Sequence, residues 1–366
     1  MIWLRVHPEQ LVPGCIITEQ VLGRTRHPII DENTVINEKH IHVLKHFQIP
    51  AVEVSNKLVS GSPFIPQHVN EQPIDTKPQN QRKHTTSFEA LYLDAVASYK
   101  KMFTKWQGGS PVDIYQIRKI MTPLLEHLKN ISLDLFLLHK FSSKRDYFYH
   151  HGIAISLLSA HLAKKIGYEK DWMQVGIAAI LADCGMARVS ENWLVKETKL
   201  TVEEYNEIKK HPTLSYRMIE DIPSVTKEMK LAVLQHHERI DGSGYPLGTQ
   251  DEKIHPFAKI IAVSDTYHAM TSERIYRTRQ SPFKVMEEML RVKYQKYDYS
   301  ILQKFIDTLM YYTIGTRVLL SNGKEAYIIF VDQNAPTRPT VRLMDNDEIV
   351  NLDEKRSIFI ENIINN

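Results

Sequence analysis

Two different periods of hydrophobic and polar positions follow one another along this chain, and they divide it. At the start the apolar residues come in short runs. Leu11-Val12-Pro13-Gly14 reads as a turn ahead of a strand at Cys15–Val21. Asn37 is placed to cap a helix carrying Ile41, Leu44 and Phe47, which recur at about one helical turn. Pro50 ends that helix, and Ala51–Val54 reads as a further short strand. Residues 1–60 are therefore expected to form a small α+β domain. Residues 61–87 are rich in Pro, Gln, Asn, Lys and Thr and poor in apolar side chains. Such a stretch buries too little surface to offset its ordering entropy, so it reads as a linker.

From residue 88 to 313 the period is helical. Ile155, Leu158, Leu162 and Ile166 recur at spacings of 3, 4 and 4, the mark of one helix face. Strands do not alternate with helices in this span, so an all-α bundle is expected rather than a parallel sheet. Residues 314–366 return to period two. Arg317–Leu320 and Ala326–Val331 flank Asn322-Gly323, a hairpin signal whose two turn positions call for φ > 0. Val341–Met344 and Ile349–Leu352 add two strands. The predicted fold is mainly α: a helical bundle between a small α+β domain and a small C-terminal β module.

Composition narrows the function classes. Of 366 residues, 43% are hydrophobic and 24% charged, and 46 Lys and Arg against 43 Asp and Glu give a net charge of +3. That balance calls for neither a nucleic-acid nor a membrane-surface partner. No apolar run approaches the roughly 18 residues of a membrane span. Met1-Ile2-Trp3-Leu4-Arg5-Val6-His7-Pro8 lacks the form of a secretory signal, so a cytoplasmic location is expected. Cys15 and Cys184 lie too far apart for a CxxC pair, and two cysteines make no disulfide framework. The oddity is 17 histidines, and where they stand matters.

The chemistry-bearing residues are dispersed through the helical region: His151, Asp183, His211, the pair His236-His237, and Asp265. Imidazole and carboxylate together suit iron, manganese, zinc or nickel. Taken singly, each also reads as an ordinary core or surface residue. Asp265 is the least ordinary, because it follows the apolar stretch Ile260-Ile261-Ala262-Val263 and a buried carboxylate needs a partner. Directly after the histidine pair comes Glu238-Arg239-Ile240-Asp241-Gly242-Ser243-Gly244-Tyr245-Pro246. Its glycines, aromatic ring and proline suit a rigid loop that sets backbone N–H groups and a ring edge against a ligand.

His236 to Pro246 resembles the signature of the HD-GYP family, a branch of the HD metal-dependent phosphohydrolases. The likeness extends over roughly residues 140–313. It takes in Asp146 to His151, the stretch from Leu200-Thr201 through Glu204 to His211-Pro212, Ser264-Asp265-Thr266-Tyr267-His268-Ala269-Met270-Thr271-Ser272, and Arg274-Ile275-Tyr276-Arg277. The resemblance implies hydrolysis of cyclic di-GMP by divalent ions, iron or manganese, one or two per chain. It implies that His151 and Asp265 bind a first metal, that Asp183 bridges as the catalytic carboxylate, and that His211, His236 and His237 complete a second. Gly244, Tyr245 and Pro246 would shape the nucleotide site, and Arg274 and Arg277 would meet its phosphates. A nucleotide, a signalling-protein partner and a homodimer are the associations it brings to mind; DNA, RNA and membrane are not.

Four positions depart from the family. The His of the His-Asp dyad is Ala182, the Lys three residues after that Asp is Met186, an Asp is His268, and a Pro is Ile275. Alanine offers no lone pair, and one ligand of four corresponds to roughly 3 kcal/mol of the 10–16 kcal/mol of a structural site. The first metal is accordingly weakened. His268, one helical turn after Asp265, is a candidate replacement ligand. Cys184 beside Asp183 reads as a small buried residue. Three readings stay open: a cyclic di-GMP phosphodiesterase with reduced turnover, a non-catalytic nucleotide-binding or scaffold protein, and hydrolysis of another phosphoester.

Overall fold

The computed structural model describes residues 3–22, 28–37, 51–64, 88–128, 137–142, 144–190, 198–273, 279–311 and 313–364, together with positions 40, 41, 44, 49, 66, 135 and 196. Two compact units result, 1–84 and 85–366. Phe47, nearly all of the expected linker, and Arg274, Ile275 and Arg277 lie outside the described residues.

In the first unit β1 (Trp3–Val6) pairs antiparallel with β4 (Val52–Ser55), and β2 (Val21–Leu22) with β3 (Pro28–Ile30). The expected strand at Cys15–Val21 is broken. Ile16 and Ile17 make isolated bridges to Val35 and Val54, and regular pairing begins at Val21. Asn37 caps as expected, its Oδ1 accepting from the His40 N–H at 3.0 Å. Ile17, Ile36, Leu44 and Val54 are the centre of this unit's own core.

The second unit is built on helices. These are α1 (Phe88–Gln107), α2 (Ile114–His127), α3 (Tyr147–Lys165), α4 (Trp172–Ala182), α5 (Val202–Ile208), α6 (His211–Ile219), α7 (Lys227–Gln235), α8 (Pro256–Thr271), α9 (Pro282–Arg291) and, past a short turn, α10 (Tyr299–Tyr311). α3 is the hub. Its apolar spacing predicts one buried face, yet every residue from His150 to Ala163 is buried. α1, α4 and α8 pack around it, and the small residues Gly152, Ala154, Ser156 and Ala160 let them approach.

Five strands close the unit: β5 (Arg317–Leu320), β6 (Glu325–Phe330), β7 (Thr340–Leu343), β8 (Ile349–Asn351) and β9 (Ile360–Ile363), all antiparallel in the order β8-β7-β6-β5-β9. The hairpin after β5 differs from the two-residue turn its sequence suggests. Gly323 N–H donates to Leu320 C=O, and of the turn residues Gly323 has the positive φ, at 79°. This is a three-residue loop, a type I turn closed by a left-handed glycine. Val318, Leu320, Ile328, Val341 and Ile363 belong to the same hydrophobic cluster as the helices. No described helix is long and apolar enough to cross a membrane.

Candidate metal centre

The dispersed histidines and carboxylates come from five places in the fold. His151 stands in the first turns of α3. Asp183 is the residue that ends α4. His211 opens α6, His236 ends α7, and Asp265 lies within α8. The chain brings Asp183 and His211 together through Gly185. A Cβ there would collide with the Ser215 N–H and the His211 carbonyl, so only glycine lets the turn after α4 lie against α6. Ser215 Oγ ties the two, donating to Ala182 C=O and accepting from the Gly185 N–H, both at 2.7 Å.

Asp183, His211, His236 and His237 each offer a ligand atom, and these atoms lie within 4.8 Å of one another. His211 Nε2 is 3.1 Å and His236 Nε2 3.6 Å from Asp183 Oδ1. The far nitrogens fix the rings. Nδ1 of His211 is 2.7 Å from Ile208 C=O, and Nδ1 of His236 is 2.8 Å from Val233 C=O. A carbonyl cannot donate, so each Nδ1 carries a proton, and each ring turns its Nε2 toward Asp183. Those two Nε2 atoms are 3.2 Å apart. Two imidazole Nε2 atoms and a carboxylate oxygen converging on one point are a donor set that fits a divalent ion.

Beside this quartet lies a second pair. His151 Nε2 is 3.0 Å from Asp265 Oδ1 and 3.7 Å from Asp183 Oδ2, and His237 Nδ1 is 3.4 Å from Asp265 Oδ2. Asp183 thus faces both groups. Ala182, with its side chain fully buried, adds no donor. His268 is fully buried too, and it meets His151 from behind: the two Nδ1 atoms are 3.0 Å apart, while Nε2 of His151 faces Asp265.

The electrostatics keep the donors ready. Burial opposes ionisation of Asp183, but hydrogen bonds and charge from His211 and His236 outweigh it and hold the carboxyl well below its usual range. Burial likewise opposes ionisation of Asp265, and His237 and His151 overcome it, so its pKa is lowered. His237 is pushed well below the ordinary imidazole value by burial and then by His236, which leaves it a neutral donor. Burial raises the Tyr245 phenol, which stays protonated. Cys184 is pushed up to about 12, by burial first, and remains an inert thiol.

The loop after the histidine pair is wrapped on one carboxylate. Glu238, 2% exposed, accepts from the N–H groups of Leu247 at 2.7 Å and Thr249 at 3.0 Å. A Cβ on Gly244 would lie 2.5 Å from Arg239 N, Glu238 Cα and His237 C=O. Tyr245 N–H donates to His237 C=O, and its ring lies 4.7 Å from that of His237. Pro246 and Tyr245 line a surface pocket beyond.

Sequence reasoning missed Glu238 and Tyr147. The Tyr147 ring stacks on His151 at 5.3 Å and its hydroxyl is 3.2 Å from His151 Nδ1. Its spacing of four residues from His151, one helix face, was the available signal. Glu238, next to Arg239, looks in sequence like a solvated charge.

Residues 130–301 match the HD domain family. Over 250 residues the chain is 27% identical to a cyclic di-GMP phosphodiesterase of Pseudomonas aeruginosa, covering 68% of this chain and 60% of that protein. It is 24% identical over 210 residues to the cyclic di-GMP phosphodiesterase PdeB of Borreliella burgdorferi, covering 57% of this chain and 55% of the other. With the 3'3'-cGAMP-specific phosphodiesterase 1 of Vibrio cholerae it shares 30% identity over 173 residues, 46% of this chain and 40% of that one. The chain thus spans 40 to 60% of the length of these relatives.

Proposed function

We propose that this chain, which carries an HD domain of the HD-GYP type, is a metal-dependent phosphodiesterase of cyclic di-GMP or a closely related dinucleotide, with reduced turnover. The observation that carries the reading is the convergence of His211 and His236 Nε2, 3.2 Å apart, on Asp183, with His237 completing a four-residue donor cluster. In this reading Asp183, His211, His236 and His237 hold one iron or manganese ion. His151 and Asp265, with Asp183 shared, form a weaker neighbouring site. A divalent cation there supplies Lewis acidity toward the phosphodiester and neutralises its developing charge.

The chain's own groups do the rest. The carbonyls of Ile208 and Val233 hold two imidazoles in the donor tautomer. Asp183 balances the positive charge and, through its second oxygen, faces His151. Gly244 and Pro246 shape the loop, and Tyr245, kept protonated by burial, packs beside the nucleotide and offers its O–H to a phosphate oxygen. Arg274 and Arg277, outside the described residues, serve the phosphates.

Reduced turnover follows from Ala182 and Met186. The first is a fully buried methyl where the family has a ligand, and the second an apolar side chain, 8% exposed, where the family has a cation. The same two residues favour a second reading, nucleotide binding without hydrolysis. Anaerobically purified protein supplied with Fe(II) or Mn(II) and cyclic di-GMP separates them, with pGpG and GMP followed by chromatography. Slow turnover, absent from Asp183→Ala, is the expected result. Binding without product from folded, metal-loaded protein would establish the second reading instead.

A further inference from the structure

Tyr245 has two sides. One is against His237 of the quartet, ring to ring at 4.7 Å. The other walls a pocket of about 410 Å³ lined by Lys209, Lys210, Leu214, Arg217 and Pro246, among others. Lys209 Nζ stands 5.6 Å from the centre of the Tyr245 ring and 4.7 Å from that of Tyr205. Lys210 is paired with Glu207. Among the described residues, Lys209 and Arg217 have no carboxylate partner. Three cations and one carboxylate leave this rim with a surplus of two positive charges. Tyr205, 46% exposed, adds an open ring beside them.

We infer that this pocket is the subsite for the distal half of a cyclic dinucleotide, with Lys209 and Arg217 on its second phosphate and Tyr205 and Tyr245 against its base. The inference rests on the dinucleotide reading above. Such a ligand carries two phosphodiesters in one ring. When one is at the quartet, the other phosphate and its base must lie elsewhere on the surface. The pocket begins one aromatic ring away and offers what that half requires: unpaired cations for a phosphate and ring faces for a base. A mononucleotide at the quartet would leave the pocket unused, so the subsite distinguishes dinucleotides from single nucleotides.

The test is calorimetric binding of a non-hydrolysable phosphorothioate analogue of cyclic di-GMP, and of GMP, to the full Mn(II)-loaded chain. The parent is compared with Lys209→Ala/Arg217→Ala and with the charge-keeping Lys209→Arg/Arg217→Lys, metal content being measured in each. The alanine pair is expected to lose about tenfold or more in affinity for the analogue, with GMP changed far less and the charge-keeping pair restoring most of the loss. Equal affinity of parent and alanine pair for the analogue overturns the subsite alone. Equal loss for both ligands overturns it as well, because a general surface field would then account for the effect. A parent that holds metal but binds no analogue sinks the dinucleotide reading and the subsite with it.

Discussion

His151 and His268 face each other through their Nδ1 atoms, 3.0 Å apart and both buried. One proton must lie between two such nitrogens. When Nε2 of His151 binds a cation, that proton belongs to His151 and His268 accepts it, with its own Nε2 3.3 Å from Ser272 Oγ. His268 then acts as a positioning residue, setting the tautomer and angle of His151 from behind.

His268→Ala is accordingly expected to cost about 10–100-fold in metal affinity at the weaker site, the range for loss of a group that orients a ligand, while the quartet still fills. His268→Asp returns a carboxylate, a stronger acceptor for the same N–H, and should retain or improve the parent's affinity. Titration with Mn(II) followed by calorimetry reads both. If His268→Ala instead empties the quartet, the residue serves the fold as a whole and not His151.

Glu238 gives a second prediction. Its carboxylate is the shared acceptor for Leu247 and Thr249 N–H groups. Glu238→Gln keeps the shape but turns one acceptor oxygen into a donor facing an N–H. A loss of about 1.5–3 kcal/mol is expected, the scale of a buried hydrogen bond to a charged group. Gly244→Ala should be worse, since three backbone atoms stand where the methyl must go. Glu238→Gln is expected to keep its metal and lose nucleotide affinity, because the loop it anchors moves, whereas Gly244→Ala also presses on the His237 carbonyl and is expected to lower metal content as well. Calorimetric binding of the phosphorothioate analogue, beside metal analysis, checks this.

Much of this centre was legible in the chain, for a physical reason. A carboxylate after Ile260-Ile261-Ala262-Val263 has to find a partner, so Asp265 announces itself. The groups that fail to announce themselves act through geometry. Glu238 looks like one of a charged pair until the loop folds back over it. Gly185 looks like any glycine until α6 lies against it. The helical period also misleads in α3: Ile155, Leu158, Leu162 and Ile166 suggest one buried face, because small residues carry no periodic signal while allowing helices to close on the other sides. β9 was missed outright. It is four residues long and joins the sheet beside β5, its most distant strand in sequence, a pairing no local pattern encodes.

Ala182 carries a third prediction. Ala182→His, combined with Met186→Lys, returns a ligand and a cation to the places where the family has them. The site of Ala182 is fully buried, so overpacking of about 1–3 kcal/mol is expected in the metal-free protein. Metal should offset that loss when bound, by mass action. Metal per chain and cyclic di-GMP turnover are both expected to rise, measured by elemental analysis and by chromatography of pGpG. More metal without more turnover would place the deficit in substrate contacts.

The last prediction concerns acid. His161, on α3 and 7% exposed, is held down to about 4 by burial and then by the charges of Lys165 and Lys164. In the unfolded chain it titrates near 6.5. As pH falls, the unfolded state therefore takes the proton first, and stability declines from about pH 6.5 down to about pH 4. Asp183 and Asp265 have lowered pKa values; their contribution is present above the ordinary carboxylate range and is lost below it, outside this window. Between pH 8 and pH 5, His161 should account for about 2 kcal/mol of lost stability. Denaturant unfolding in the presence of a chelator, followed by circular dichroism, is expected to show that decline in the parent and a decline smaller by about that amount in His161→Gln. An unchanged pH dependence in the variant would mean that His161 titrates in the folded protein as it does in the unfolded chain.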